Sequence, residues 1–288
     1  MNVGIIGMGL IGGSLGRAIV KKTNHVVWGY DLDPKAMDGA RLVNAIHDEL
    51  TEDKLIELDL LVFALYPKAI ESLLPAYCEK LKPGCIVTDC CGNKREVVKI
   101  MKELTVRFPH LEFVGAHPMA GREFSGIRHS TVNLFDRASM ILVPVSIGIE
   151  SLAKIKSVAL EIGFGQVVIT TAEQHDTIIA FSSQLAHIVS SAYIKSPAAA
   201  KHNGFSAGSF RDMTRVAKLN PEMWTQLMSE NADNLVDELK VLIENLSDYL
   251  NALKNNDRGE LFRLLSEGNE RKIEIEKNRG VVSNEDNG

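Results

Sequence analysis

Short apolar runs alternate with amphipathic stretches through the first 145 or so residues, and the alternation ends near residue 170. Strand-like runs fall at Asn2 to Ile6, His25 to Tyr30, Leu60 to Leu65, Cys85 to Asp89, Glu112 to Gly115 and Met140 to Pro144. Each of the first four precedes a segment with helical periodicity, which is the rhythm of a parallel sheet covered on both faces. A further helix and strand, Ser151 to Ile162 and Gln166 to Ile169, extend the same sheet.

Beyond Thr170 the strand signal is gone. Thr170-Thr171-Ala172-Glu173 reads as a capping box that opens a long helix, with Ile178, Phe181, Leu185, Ile188 and Ala192 on one apolar stripe. Asn220-Pro221-Glu222 pairs a capping side chain with a proline in the first turn and opens a second long helix. Its stripe of Met228, Leu235, Leu239, Leu242, Leu246, Tyr249 and Leu253 keeps nearly a 3.5-residue period, more apolar surface than a small domain covers. The expectation is a homodimer built on this part, with intrachain packing as the rival. The fold class is thus an α/β doubly wound sheet of Rossmann type followed by an all-α dimerisation domain. The domains run over residues 1–169 and 170–280, with a polar, flexible tail at 281–288.

Charge narrows the partners. The 288 residues carry a net charge of −5, and no Lys/Arg cluster interleaves with aromatics, so nucleic acid is not expected as a ligand. An anionic small molecule would need local cations. The uncharged N-terminal stretch has the form of a strand and turn rather than of a leader or membrane span, and the protein is read as cytoplasmic. Cys78, Cys85, Cys90 and Cys91 show no metal-ligand spacing, so reduced, buried thiols are expected and no metal.

Chemistry first appears at Gly7-Met8-Gly9-Leu10-Ile11-Gly12, between a strand and a helix. There Gly7 permits the tight turn, Gly9 lets backbone approach a pyrophosphate, and Gly12 allows close helix packing, while the helix N-terminus offers free amides. Asp31, ending the second strand, is placed to accept the ribose hydroxyls and to repel a 2′-phosphate. NAD is therefore the expected cofactor, held by Gly7, Met8, Gly9, Leu10, Ile11, Gly12 and Asp31, with Tyr66 over it at the carboxyl end of a strand. A variant site for an adenosyl or flavin ligand is the competing reading.

The segment Gly115-Ala116-His117-Pro118-Met119-Ala120-Gly121-Arg122-Glu123-Phe124-Ser125-Gly126 sets one imidazole among glycines just after a strand. A neutral imidazole there suits proton transfer near pH 7. The loop Cys90-Cys91-Gly92-Asn93-Lys94 opens on the same sheet edge, and Phe210 to Lys218 is a basic stretch in an acidic chain. His175-Asp176 near a helix start reads as structural, and Trp224 as core or interface.

These residues resemble the prephenate dehydrogenase family, including its arogenate-using relatives. The resemblance runs through the glycine fingerprint, GAHPMAGREFSG, His175-Asp176, Ser183-Gln184-Leu185-Ala186-His187 and Phe210 to Trp224 in order. It implies oxidative decarboxylation of a dianionic cyclohexadienol, with His117 acting on the ring hydroxyl and Arg215 binding a substrate carboxylate. His187, Glu123, Ser125 and Asp212 are further substrate-side candidates. Two departures stand out. Asn93 occupies the place where many members carry a serine that touches the histidine, so Asn93 is the candidate substitute. Arg122 replaces a small or hydroxyl residue. Rival readings are another dehydrogenase of this layout and a nucleotide-binding regulator without catalysis.

Overall fold

A computed structural model describes residues 1–121 and 124–285, with side chains described up to residue 277. Glu123 and Arg122 lie outside the described residues, as do 286–288 of the expected tail. The chain forms two compact units, Met1–Leu235 and a second beginning at Val236.

The first unit is built on one eight-stranded sheet. The strands are β1 Asn2–Ile6, β2 Val26–Tyr30, β3 Asp48–Glu49, β4 Leu60–Phe63, β5 Ile86–Asp89, β6 Glu112–Pro118, β7 Ser139–Ser146 and β8 Gln166–Ile169. Their spatial order is β3-β2-β1-β4-β5-β6-β7-β8. All neighbours are parallel except β6 and β7. That exception departs from the all-parallel expectation and has a simple cause. Among its described residues the β6–β7 connection contains a short 3₁₀ turn, Ile127–His129, and no crossover helix to return the chain to the starting edge. β3, two residues long, carries too little periodicity to be read from sequence.

Helices α1 Leu10–Lys22, α2 Pro34–Leu42, α3 Pro67–Cys78, α4 Arg95–Arg107 and α5 Ile149–Glu161 cover the sheet. Alternate strand residues feed two separate cores. Val3, Ile5, Leu60 and Val62 pack with Leu15 and Ile19 of α1, Met37 of α2 and Ile155 of α5. Ile6, Leu61 and Phe63 pack with Ile70 and Leu74 of α3 and Val97 and Met101 of α4. Strand order reverses between β1 and β4, which opens a crevice at the carboxyl ends of the strands.

After β8 the chain is helical: α6 Ala172–Ile179, α7 Ala186–Tyr193, α8 Gly208–Thr214, α9 Pro221–Glu230, α10 Ala232–Lys254 and α11 Arg258–Glu285. The cap of α6 is Thr171, whose hydroxyl accepts from the Gln174 amide at 3.2 Å, one residue later than the capping box placed it. The expected long helix is interrupted by a π-helical turn over Ala180–Leu185. Its inward side takes only part of the predicted stripe: Leu185 is buried, together with Ile179 and Ala180. Ile178 and Phe181 are exposed, while His175, Asp176 and Gln184 are buried. Asn220 caps α9 as expected, accepting from the Met223 amide at 3.1 Å. The helix then breaks at Asn231, so the stripe from Met228 to Leu253 spans two helices. Within the second unit the Tyr249 hydroxyl donates to the Leu264 carbonyl at 3.1 Å. α11 runs to Glu285, so 281–285 carry helical backbone where a flexible tail was expected.

Candidate active site

The turn between β1 and α1 has the shape that its glycines require. Gly7 adopts φ +94°, and a Cβ there would lie 2.5 Å from the Ala64 carbonyl oxygen. A Cβ on Gly12 would meet the Gly7 carbonyl oxygen at 1.9 Å. By contrast a Cβ on Gly9 would meet nothing within 4 Å, so its face of the turn is open to a ligand. No side chain caps α1, which leaves the first-turn amides of Leu10 and Ile11 available. Asp31 closes the turn: its carboxylate accepts from the Met8 amide at 2.7 Å and the Asp33 amide at 2.9 Å. Each oxygen retains capacity for a hydroxyl donor. Tyr66, just past β4, is more than half exposed on the same edge.

β6 runs parallel to β5, so its carboxyl end brings His117 to that edge too. Behind it lies a buried ion pair that sequence reasoning passed over. Lys94 and Asp89 have no exposed side-chain surface, and Lys94 Nζ donates to Asp89 and, at 2.6 Å, to the Ala116 carbonyl. Asp89 in turn accepts from the Ala116 amide at 3.0 Å and the Cys91 amide at 2.7 Å. The pair therefore clamps the end of β5 to the residue before His117. A charged residue ending an otherwise apolar strand, six residues before the next helix, was the available signal.

His117 is half-buried and its Nδ1 lies 2.9 Å from His175 Nε2. His175 Nδ1 lies 2.7 Å from Asp176 Oδ1. His117 Nε2 has no hydrogen-bond partner among the described residues. Burial, helped by the Lys94 charge and His175, holds the His117 imidazole well below its ordinary range, against the pull of Asp176. It is neutral at physiological pH. The pair first read as structural thus touches the principal candidate. Asp176 also accepts from the Lys94 amide at 2.7 Å and the Arg95 amide at 2.9 Å, which places it on the N-terminus of α4. Arg95 goes on to Asp233 and Asn231.

Asn93 does not take up the missing serine's contact. Its amide donates to the Leu227 carbonyl at 2.7 Å and to Glu230 at 3.4 Å, and its oxygen accepts from Gln184 at 2.9 Å. With both ends engaged and the residue buried, it ties the β5–α4 loop to α9 instead of meeting His117.

A second cluster lies on the helical segments. His187, on α7, stacks on Trp224 of α9 with ring centroids 3.8 Å apart, and its Nδ1 faces the Ser183 carbonyl at 2.9 Å. Burial lowers its pKa, the Ser183 carbonyl opposes that, and the Arg215 charge lowers it further. Arg215, just past α8, is exposed and makes no ion pair among the described residues. Asp212 is exposed on α8 without an ion pair to Arg215. Ser125 is exposed in the loop after β6. Next to it, Phe124 stacks on His129 and lies under Lys218, 5.5 Å from ring centroid to Nζ. Among the described residues no hydrogen bond or ring contact joins the His117 and His187 clusters.

The four cysteines are free. Burial pushes the thiols of Cys78 and Cys85 up to about 12, and Cys90 and Cys91 higher still, so none is a nucleophile. Among the described residues no group of His, Cys, Asp and Glu is arranged to hold a metal ion, and no helix is long and apolar enough to cross a membrane.

A glycine-cornered turn and a neutral histidine on one edge of a doubly wound sheet, followed by helices, define a nucleotide-binding oxidoreductase. The chain belongs to the prephenate dehydrogenase family. Residues 15–169 match its nucleotide-binding domain and residues 171–267 its dimerization domain. A cyclohexadienyl dehydrogenase of Zymomonas mobilis is 29% identical over 97% of this chain and 98% of its own length. Prephenate dehydrogenase of Bacillus subtilis is 27% identical over 90% of this chain and 72% of its own. Among solved structures, prephenate dehydrogenase from A. aeolicus, in complex with hydroxyphenyl propionate and NAD+, superposes with a TM-score of 0.82 at 26% identity, covering 96% of this chain and 98% of that one. Synechocystis arogenate dehydrogenase gives 0.79 at 26% identity, covering 96% and 100%.

Proposed function

We propose that this chain, as a homodimer, catalyses the NAD-dependent oxidative decarboxylation of prephenate to 4-hydroxyphenylpyruvate, or of arogenate to tyrosine. The observation that carries this reading is His117: a neutral imidazole on the carboxyl edge of the sheet, one nitrogen turned inward to His175 and the other without a partner among the described residues. The glycine turn fits a pyrophosphate, since its open face is at Gly9 and its closed faces are at Gly7 and Gly12. Asp31 favours NAD over its 2′-phosphorylated form by charge.

A bound nicotinamide supplies the acceptor for the hydride that leaves the carbinol carbon. His117 Nε2 takes the hydroxyl proton as that carbon becomes a carbonyl. The ring carboxylate then departs as carbon dioxide, its bonding pair completes the aromatic ring, and His117 returns the proton to the phenolic oxygen. No net acid or base is consumed. Arg215, without a carboxylate partner among the described residues, binds a substrate carboxylate, beside the His187–Trp224 stack. Glu123, Ser125 and Asp212 complete the substrate side.

The homodimer reading rests on the match to a dimerization domain and on exposed Leu246, Leu250, Leu253 and Phe262. Free thiols support a reducing, cytoplasmic setting. Initial rates with prephenate and arogenate, each with NAD⁺ and NADP⁺, test the proposal. Reduction of NAD⁺ with at least one substrate, and much slower use of NADP⁺, is expected; no reduction with either substrate would reject it.

A further inference from the structure

The contacts behind His117 form a directed chain. Asp176 is met by four donors: the backbone amides of Lys94 and Arg95, Arg95 Nε at 3.3 Å, and His175 Nδ1. Burial alone would raise its pKa, but the His175 bond and the two amides at the start of α4 outweigh this and keep it ionised. An ionised carboxylate only accepts. A singly protonated His175 must therefore carry its proton on Nδ1, which leaves a lone pair on Nε2. That lone pair faces His117 Nδ1 at 2.9 Å, so the hydrogen between the rings belongs to His117 Nδ1. The outward Nε2 of His117 is then the bare nitrogen.

We propose that Asp176 and His175 are positioning residues that fix the tautomer of His117, presenting an unprotonated Nε2 to the substrate. The inference deepens the reading of His117 as the base and rests on it. An imidazole in the other tautomer would offer a donor to the substrate hydroxyl and could not take its proton. Free in solution, a histidine exchanges between both forms; here one carboxylate on a helix N-terminus selects the form two residues away.

The substitution Asp176→Asn reverses the chain. Oδ2 faces two fixed donors of Arg95, whereas Oδ1 faces one, the Lys94 amide, and His175, which can change tautomer; the amide nitrogen therefore falls on the Oδ1 side, giving up the Lys94 contact. His175 then donates from Nε2, and His117 is driven to the Nε2–H form. In the serine-protease triad the same carboxylate-to-amide change costs about 10⁴-fold in turnover through the wrong tautomer. Asp176 also caps α4, so a second pair of variants leaves that cap intact. His175→Phe removes the acceptor, whereas His175→Gln supplies an amide oxygen that can accept from His117 Nδ1–H.

The experiment is ring-¹⁵N NMR of the full chain, free of ligand, at about pH 8, above the ordinary imidazole range. The His117 resonances are assigned by their loss in His117→Asn. Wild type and His175→Gln are expected to show a protonated Nδ1 and a bare Nε2, Asp176→Asn the reverse, and His175→Phe an exchange between both forms with the Nδ1–H preference lost. Turnover should follow the tautomer: a loss of about 10³- to 10⁴-fold in Asp176→Asn, and His175→Gln at least tenfold faster than His175→Phe. A merely structural role for His175 would move neither the tautomer nor the order of the two variants. A wild-type His117 protonated on Nε2, or a tautomer unchanged by either disruptive variant, overturns the inference. Because the spectrum needs no substrate, the expected tautomers without turnover on either substrate would reject the proposed reaction and leave the tautomer assignment standing.

Discussion

Lys94→Met tests how the sheet edge that carries His117 is held. Both members of the Lys94–Asp89 pair have no exposed surface, so removing the ammonium leaves a buried carboxylate served only by the amides of Cys91 and Ala116. It also orphans the Ala116 carbonyl. An uncompensated buried charge costs about 3–5 kcal/mol. Asp89→Asn in the same chain removes that charge and should recover a good part of the loss, although the carbonyl stays unpaired. The assay is urea unfolding of wild type, both single variants and the double variant, with activity measured in parallel. The active site supplies a second readout. The Lys94 charge lowers the His117 pKa, so its removal should move the acid limb of kcat/KM to higher pH. A loss below about 1 kcal/mol in Lys94→Met would refute the clamp. So would a double variant no more stable than the single.

Other outcomes follow from the same geometry. Gly9→Ala should change stability by no more than about 1 kcal/mol, since a Cβ there meets no protein atom, yet weaken NAD⁺ binding about tenfold or more by filling the pyrophosphate's approach; unchanged affinity in calorimetry would move the cofactor elsewhere. His117 binds fewer protons folded than unfolded, so native stability rises with pH through the window below about 6.5 and is lost as pH falls through it. His117→Asn should therefore flatten the slope of unfolding free energy there by up to about 1.4 kcal/mol per pH unit, and an identical slope would contradict the depressed pKa. Arg215→Ala should raise KM by about 10- to 100-fold, from about 1.5–3 kcal/mol for a charged hydrogen bond, and spare kcat; a KM that stays put assigns the carboxylate to Arg211 or Lys218. Leu246→Glu with Leu250→Glu should yield monomers in sedimentation experiments, because both leucines are at least half exposed in the single chain.

Much of this architecture was legible in the residues. β1 and β8 fall on the predicted spans, the other predicted strands are matched within three residues at each end, and Asn220 caps its helix, because these features depend on local periodicity and capping. What escaped was set by tertiary contacts. The inward face of α6 and the π-helical turn is mixed, with His175, Asp176 and Gln184 buried beside Ile179, Ala180 and Leu185 while Ile178 and Phe181 are exposed, so a rule that turns apolar stripes inward misses its polar half. The role of Asp176 depends on the start of α4, eighty residues earlier in the chain, and no spacing rule connects them. Asn93 shows the converse. A family pattern drew it toward His117, while its two-ended amide found Leu227 and Gln184, contacts that a serine hydroxyl is too short to make at both ends.

The central claim is that His117 removes the substrate's hydroxyl proton as hydride leaves and the carboxylate departs. The direct measurement is simultaneous NADH formation and carbon dioxide release, from prephenate and from arogenate, by wild type and by folded His117→Asn. The account predicts equal molar yields of both products in wild type, with a fall of about 10²- to 10⁴-fold in both rates on losing the base. Wild-type rates in the variant, or NADH formed without carbon dioxide, would contradict it.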